Sequence, residues 1–389
     1  MHRSDNLVDQ LGTLRTPCYL LDETEFRSKL QHAKSICNAQ ITFSIKANPF
    51  LAPIAAELAD FLEVCSPGEL GICISQRLPA EKIIVAGVCK EQEYLMAALE
   101  YGVKRYVIES EHQMQLLASC MQHFPGQRVC VALRLTIGNQ FGMFPEEAER
   151  LFQARSCDRV EINALHIYAG TQNRSADKHR SYLAMLSDLA QKMNQSGCGI
   201  IRKLIYGGGL PVSYFTGKHG FDDTHALDEL AQIGRETANG FELEFELGRY
   251  LTASSGCYIT RVSERRERDR IYIITDGGTH QLTYYNQQYG RRIPDLVQIP
   301  ERPRKEQCVV CGVLCTGADI MLHDALLSEL RKGDYLVFQN TGAYALTDGS
   351  QLFLSRELPP VYLKDRTGSI SLIRTAVDTG LWNGGTKHG

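Results

Sequence analysis

The sequence predicts an α/β protein in which a closed eight-stranded β/α barrel precedes an all-β domain. Three observations carry this expectation. Eight short, β-branched apolar runs alternate with amphipathic stretches over the first two thirds of the 389 residues. Strands separated by helices pair in parallel. Eight such strands over roughly 220 residues are the number and span that close a barrel. An open doubly wound sheet is the competing arrangement for the same alternation.

The strands expected in the barrel are 41–45 (ITFSI), 61–65 (FLEVC), 82–87 (KIIVAG) and 105–109 (RYVIE). Four more follow at 129–135 (VCVALRL), 162–168 (INALHIY), 203–207 (KLIYG) and 242–246 (ELEFE). Helical periodicity fills the gaps: Tyr182, Met185, Leu186, Leu189 and Met193 recur at spacings of three and four. Asp222, Asp223 and Thr224 are N-cap candidates for a helix running toward Asn239-Gly240. From about residue 257 the texture changes to YITRV, IYIITD, CVVCGVLC, DYLVFQ, VYLK and SISLIR, with turn signals at 332–334 and 347–349. One helix, 324–331, is expected among these strands, and the 383–389 tail is expected to be mobile.

A chain of this length accommodates a large domain with a second attached, or two to three small ones. Its composition is 43% hydrophobic and 22% charged, ordinary for a soluble protein. With 42 basic against 45 acidic residues, it has no electrostatic footprint for nucleic acid or an anionic membrane surface. No apolar run reaches the ~20 residues that span a bilayer. The opening MHRSDNLVDQLG lacks the apolar core of a secretory signal, and thirteen scattered cysteines do not suit an oxidised framework. The expectation is a cytoplasmic globular enzyme or binding protein with reduced thiols.

In a β/α barrel, catalytic groups sit at the C-terminal ends of strands. Those ends present Lys46, Glu63 with the 65–69 turn, Arg134, His166 and Tyr168, the run Gly207-Gly208-Gly209, and Glu246 with Gly248-Arg249. A lysine ending an apolar strand is desolvated, which lowers its pKa and suits it to Schiff-base chemistry. A triple-glycine turn exposes backbone N–H groups that can cradle a phosphate. Taken singly, each feature also fits a lysine reaching to solvent and a turn that is only a turn. The glycines lack G-x-G-x-x-G spacing and Pro211 interrupts the helix start, which disfavours a dinucleotide site. Cys308 and Cys311 form one C-x-x-C within a strand pattern, without the second pair a structural zinc site needs, so no metal is expected.

Nine segments occur in family order: TPCYLLD, SIKAN, EVCSPGEL, QFGM, HIYAGTQ, YGGGLPVSY, ELGRYL, VLCTGAD and TGAY. Together they resemble the fold-type III pyridoxal-phosphate-dependent decarboxylases, which include the diaminopimelate and ornithine decarboxylases. The resemblance implies that Lys46 holds the cofactor covalently and that Glu246 pairs with the pyridine nitrogen, keeping it protonated as an electron sink. It implies that Gly207, Gly208, Gly209, Gly248, Arg249, Thr171 and Tyr344 hold the phosphate, with Arg134 near the 3′-oxygen and Glu69 on the pyridine side. Cys315 matches the cysteine that the neighbouring subunit supplies to return a proton to the reacting carbon. Asp319 would stand beside it, and Arg249, Thr316, Asp319 and Tyr344 would face the substrate. The implied assembly is a head-to-tail homodimer with shared active sites. The implied domains are a segment 1–33 joining the β-domain, a cofactor-binding barrel over 34–256, and a β-domain over 257–389.

The chain departs from the family pattern in ways that bear on substrate. Tyr168 stands where the family's stacking histidine stands, and a phenol ring can stack equally well. Thr316 replaces the acid that follows the active-site cysteine and holds a distal ammonium. The 276–290 segment, DGGTHQLTYYNQQYG, lacks the distal arginine of the diaminopimelate enzymes. The 134–141 segment is shorter than usual, which should open the barrel mouth. These features are most similar to decarboxylases of specialised metabolism, such as the butirosin-type glutamyl–acyl-carrier-protein decarboxylase, and share Cys-Thr with citryl-diaminopropionate decarboxylases of siderophore pathways. They imply a carrier-tethered or otherwise extended amino-acid substrate, with a free diaminopimelate or basic amino acid as the alternative. A racemase is disfavoured because racemases of this architecture place arginine at the pyridine nitrogen, where this chain has Glu246. A non-catalytic cofactor-carrier protein is disfavoured because such proteins are barrel-only, much shorter and have no reason for a Cys315/Asp319 segment. A catalytically dead regulator is disfavoured by the retained Lys46 and Cys315.

Overall fold

The computed structural model describes residues 11–154, 158–285 and 290–384. Parts of the expected N-terminal segment (1–10), of the 276–290 segment (286–289) and of the tail (385–389) lie outside the described residues. The chain divides into two compact units. One comprises Arg27–Val212 and Asp223–Leu251, and the other Met1–Phe26, Ser213–Asp222 and Thr252–Gly389. These limits differ by several residues from the 33/34 and 256/257 divisions expected above.

In chain order, strand β1 (Cys18–Asp22) leads into helix α1 (Glu23–Cys37). The barrel strands follow: β2 (Gln40–Ser44), β3 (Phe61–Val64), β4 (Ile83–Val85), β5 (Arg105–Ile108), β6 (Val129–Arg134), β7 (Val160–Tyr168), β8 (Lys203–Gly207) and β9 (Glu242–Leu247). Every neighbouring pair is parallel and β9 returns to β2, so the sheet closes as an eight-stranded barrel. The alternation and count thus predicted the fold, with strand limits off by one or two residues. Among the outer helices are α2 (Ala52–Leu58), α3 (Pro67–Ser75), α4 (Gln92–Tyr101), α5 (Glu111–Cys120), α6 (Pro145–Ala154), α7 (Ala176–Gln195) and α8 (Ala226–Thr237). Helix α8 is capped by His225 without a side-chain bond, not by the aspartates expected.

Because side chains alternate across a strand, each barrel strand sends every second residue inward. The inward residues form layers. At the N-terminal ends of the strands, Glu244 is fully buried and accepts from Thr42 at 2.7 Å, Arg105 at 2.6 Å and Lys203 at 3.1 Å. The middle layer is an apolar cluster of Ile84, Ala86, Val107, Ala132, Ala164 and Ile205. Above it, at the C-terminal ends, polar residues reappear.

The other unit is a mixed sheet. Its strands β10 (Gly256–Glu267), β11 (Ile271–Thr275), β12 (Leu296–Ile299), β13 (Lys305–Cys311), β14 (Ile320–Ser328), β15 (Tyr335–Phe338), β16 (Val361–Lys364) and β17 (Ile370–Arg374) join β1 in one nine-stranded sheet. No helix forms at 324–331: residues 324–328 are the end of β14, and 329–331 follow it without regular structure. Ala325 and Leu327 are buried while Leu326 is exposed, a period of two imposed by antiparallel pairing with β13.

Candidate active site

Lys46 lies in a single helical turn (Ile45–Ala47) directly after β2, which lifts its amine above the apolar layer. Its Nζ donates to Glu63 Oε2 at 2.8 Å and lies 3.4 Å from Cys65 Sγ. Burial would raise the Glu63 pKa, but the Lys46 ammonium overcomes it and holds that carboxyl down at about 2. The Cys65 thiol is pushed well above its ordinary value by burial and then by the Glu63 carboxylate. Ser66 caps α3, its hydroxyl accepting from the Glu69 N–H, and Glu69 Oε2 accepts from the Cys65 N–H at 2.6 Å. Burial raises the Glu69 pKa, opposed by that N–H. One oxygen of Glu69 is therefore occupied locally.

Glu246, near the end of β9, is buried and meets His166 of β7, with Nε2 and Oε2 2.8 Å apart. Its other oxygen, Oε1, is buried without a hydrogen-bond partner, and so is His166 Nδ1. Beside this pair, a Cβ on Gly207 would sit 2.8 Å from the Tyr168 ring and 3.3 Å from Glu246 Oε2. Burial raises the Tyr168 pKa, while Lys46, a hydrogen bond with Thr171 and the Arg249 charge lower it. Gly209 requires glycine twice over. Its φ is +60°, and a Cβ there would lie 1.8 Å from the Gly170 carbonyl oxygen. Ala169 N–H donates to Gly207 O at 2.8 Å and Asn173 N–H to Gly209 O at 2.9 Å, joining the two loops backbone to backbone. Gly208 turns the other way, its Cβ position facing Leu230, Tyr206 and His179. Gly248 packs on Ala47, beside Lys46.

The barrel unit thus brings together Lys46, Tyr168, Thr171, Gly207, Gly209, Glu246, Gly248 and Arg249. Arg134 is engaged by Glu109 at 2.8 Å, with its guanidinium 4.9 Å from the Phe141 ring centroid. Glu109 was not singled out from sequence, although it ends the run RYVIE. Lys90 was also missed. It is buried in the loop after β4, bonds Gly87 O and Gln113 Oε1, and burial brings its pKa down to about 8. A polar cavity of about 400 Å³ lies against this unit, lined by Thr171, Gln172, Asn173, Arg174, Ser175 and Lys178 among others.

In the β-unit, Cys315 and Thr316 are exposed on the turn between β13 and β14. Asp319, expected beside the substrate, is buried, and both of its oxygens are used within the unit. Oδ1 accepts from the Thr279 N–H and hydroxyl at 2.8 Å, and Oδ2 from the Leu314 N–H at 2.8 Å. It fixes the loop that carries Cys315. Tyr344 is half-buried at φ +66°, an unusual conformation for a non-glycine residue.

An amine, a buried acid with an open oxygen and a backbone cradle for an anion make a set suited to covalent capture of an aldehyde cofactor. The family model described as "Pyridoxal-dependent decarboxylase, pyridoxal binding domain" matches residues 23–253. The L-glutamyl-[BtrI acyl-carrier protein] decarboxylase of Niallia circulans is 28% identical, over 92% of this chain and 91% of its own. The 2-[(L-alanin-3-ylcarbamoyl)methyl]-2-hydroxybutanedioate decarboxylase of Staphylococcus aureus is 24% identical, over 92% and 97%. Diaminopimelate decarboxylases are similar to a comparable degree. The solved structure of the diaminopimelate decarboxylase from Helicobacter pylori, complexed with L-lysine, has the same fold, with a TM-score of 0.83 at 23% identity over 96% and 98% of the two chains. The chain belongs to the pyridoxal-dependent decarboxylases, enzymes that use pyridoxal phosphate to remove the carboxyl group of an amino acid.

Proposed function

We propose that this enzyme decarboxylates an amino-acid conjugate in a biosynthetic pathway, one tethered to a carrier protein or otherwise extended, and that it works in the cytoplasm as a homodimer with shared active sites. The observation that carries the substrate reading is Thr316, directly after Cys315: a hydroxyl cannot neutralise a distal ammonium as a carboxylate would. Two relatives named for conjugated amino acids support it. The cysteines among the described residues are all free, which suits the proposed proton donor.

The residues present fit pyridoxal phosphate. The orphaned Glu246 Oε1 is a buried acceptor that suits a protonated ring nitrogen, and the Gly209 position tolerates no side chain. When bound, the cofactor supplies the electron sink for the charge left by departing CO2. Lys46 would hold it, with Glu63 keeping the amine at the mouth. Glu246 would keep the proton on the pyridine nitrogen. The 207–209 backbone, Gly248, Arg249, Thr171 and Tyr344 would bind the phosphate, Tyr168 would cover the ring face, and Arg134 and Glu69 would flank it. Cys315, contributed across the dimer, would return a proton to the carbon that loses CO2. Asp319 would set its turn.

The test is CO2 release from free, citryl-linked and carrier-linked amino acids, with the Lys46→Ala protein as the blank. Turnover of a linked substrate at least about tenfold above any free one is expected. Efficient turnover of free diaminopimelate or lysine with none of the linked compounds would overturn the reading.

A further inference from the structure

Two buried polar atoms at the barrel mouth, Glu246 Oε1 and His166 Nδ1, have no hydrogen-bond partner. Buried polar groups are otherwise satisfied almost everywhere in proteins, so an orphan pair in a ligand site needs a reason. The 2.8 Å contact between Nε2 and Oε2 supplies it. An isolated carboxylate at the end of β9 has rotational freedom about its last torsion, which is broad and roughly two-fold. The imidazole fixes one oxygen, and the other is then fixed with it. The imidazole itself is held by β7, which pairs in register with β6 at Arg134 and with β8 at Ile205. Gly207 leaves room for the pair, since a side chain there would press on Oε2.

We propose that His166 is a positioning residue: it clamps Glu246 Oε2 so that Oε1 is presented, ready-oriented, to the pyridine nitrogen of the cofactor. This rests on the reading of Glu246 as the pyridine partner. His166 does not touch the reacting atoms. Its contribution is preorganisation, so that binding need not order the carboxylate.

The test uses the full-length protein, stripped of cofactor and titrated with pyridoxal 5′-phosphate. Affinity is read from visible absorbance, bound geometry from visible circular dichroism, and folding from thermal unfolding of the cofactor-free protein. His166→Phe is expected to weaken cofactor binding by about tenfold or more and to alter the dichroism, as losing a supporting partner does elsewhere. His166→Gln, whose amide can still donate to Oε2, should stay within about threefold of the parent. Glu246→Ala should weaken binding at least as much as His166→Phe, and combining the two should add little, because the histidine acts through the acid. If His166→Phe does not fold, His166→Asn, too short to reach Oε2, carries the same expectation. The proposal is overturned if the Phe or Asn variant lowers thermal stability but leaves affinity and dichroism at parental values while Glu246→Ala changes both. If Glu246→Ala itself changes neither, the assignment of Glu246 fails, and the clamp fails with it.

Discussion

Glu244 and Glu246 sit two positions apart on one strand, both inside the barrel and both buried, yet they live under opposite conditions. At the base, Glu244 shares its two oxygens among a hydroxyl and two cations, Arg105 and Lys203, with the Phe61 ring 3.7 Å from the guanidinium. At the mouth, Glu246 has one neutral-capable partner and one open oxygen. The apolar layer between them separates a saturated network from an unsaturated one. Saturation holds the barrel together, and the open valences above are where a ligand can complete the structure.

Exchanging the acid for its amide at each end should expose this division. Glu244→Gln leaves two half-buried cations without their buried counter-charge and should cost about 3 kcal/mol of stability, read as a lower denaturant midpoint at unchanged slope. Glu246→Gln should change the cofactor-free stability by under about 1 kcal/mol, since the amide can keep the bond to His166. If the two variants lose equal stability, the mouth is structural and the contrast fails.

Gly209→Ala comes next in size. The substitution must move the 169–171 loop away from a 1.8 Å overlap and force a side chain into positive φ. It should destabilise the protein by about 1–3 kcal/mol and impair cofactor binding more than that loss explains. Gly208→Ala, whose Cβ would meet side chains at 3.2 Å rather than backbone, should be milder.

Much of this architecture was legible in the chain. Strand positions follow from β-branched runs, closure from their number, and Lys46 and Glu246 from strand ends, because local pattern and topology decide those features. What failed was whatever depends on a distant partner. Residues 324–331 read as helix because Ala325, Leu327 and Leu330 suit either period. The ladder with β13 decides it. Glu109 and Arg134 meet across 25 positions, and His166 and Glu246 across 80, only once the barrel is closed. Lys90 lies in a loop with no periodicity, so nothing in its neighbourhood announced its burial.

A smaller effect should appear with pH. The folded-state pKa of Glu63 is depressed from 4.5 to about 2. Its contribution is therefore fully present above the unfolded value and is lost as pH falls through the folded one. In cofactor-free protein, stability should decline between about pH 4.5 and pH 2 by on the order of 1–2 kcal/mol from this group, a figure kept low because Lys46 is partly exposed. Glu63→Gln should flatten that decline. An unchanged slope would mean that the Lys46–Glu63 pair does not hold the mouth as the base network holds the base.

The smallest change expected is Tyr168→Phe. The ring occupies space that a Cβ at Gly207 would take, a packing requirement that does not involve the hydroxyl. The hydroxyl's own role is its bond to Thr171, and burial keeps it protonated across the neutral range. Removing one such bond at a partly open site is worth about 0.5–1.5 kcal/mol, so cofactor affinity in Tyr168→Phe should fall by no more than about tenfold. Tyr168→Ala removes the ring as well and should fall further. Were Phe to bind the cofactor as poorly as Ala, the hydroxyl would be the working group, and Tyr168 would belong with the polar residues of the mouth rather than with a stacking face.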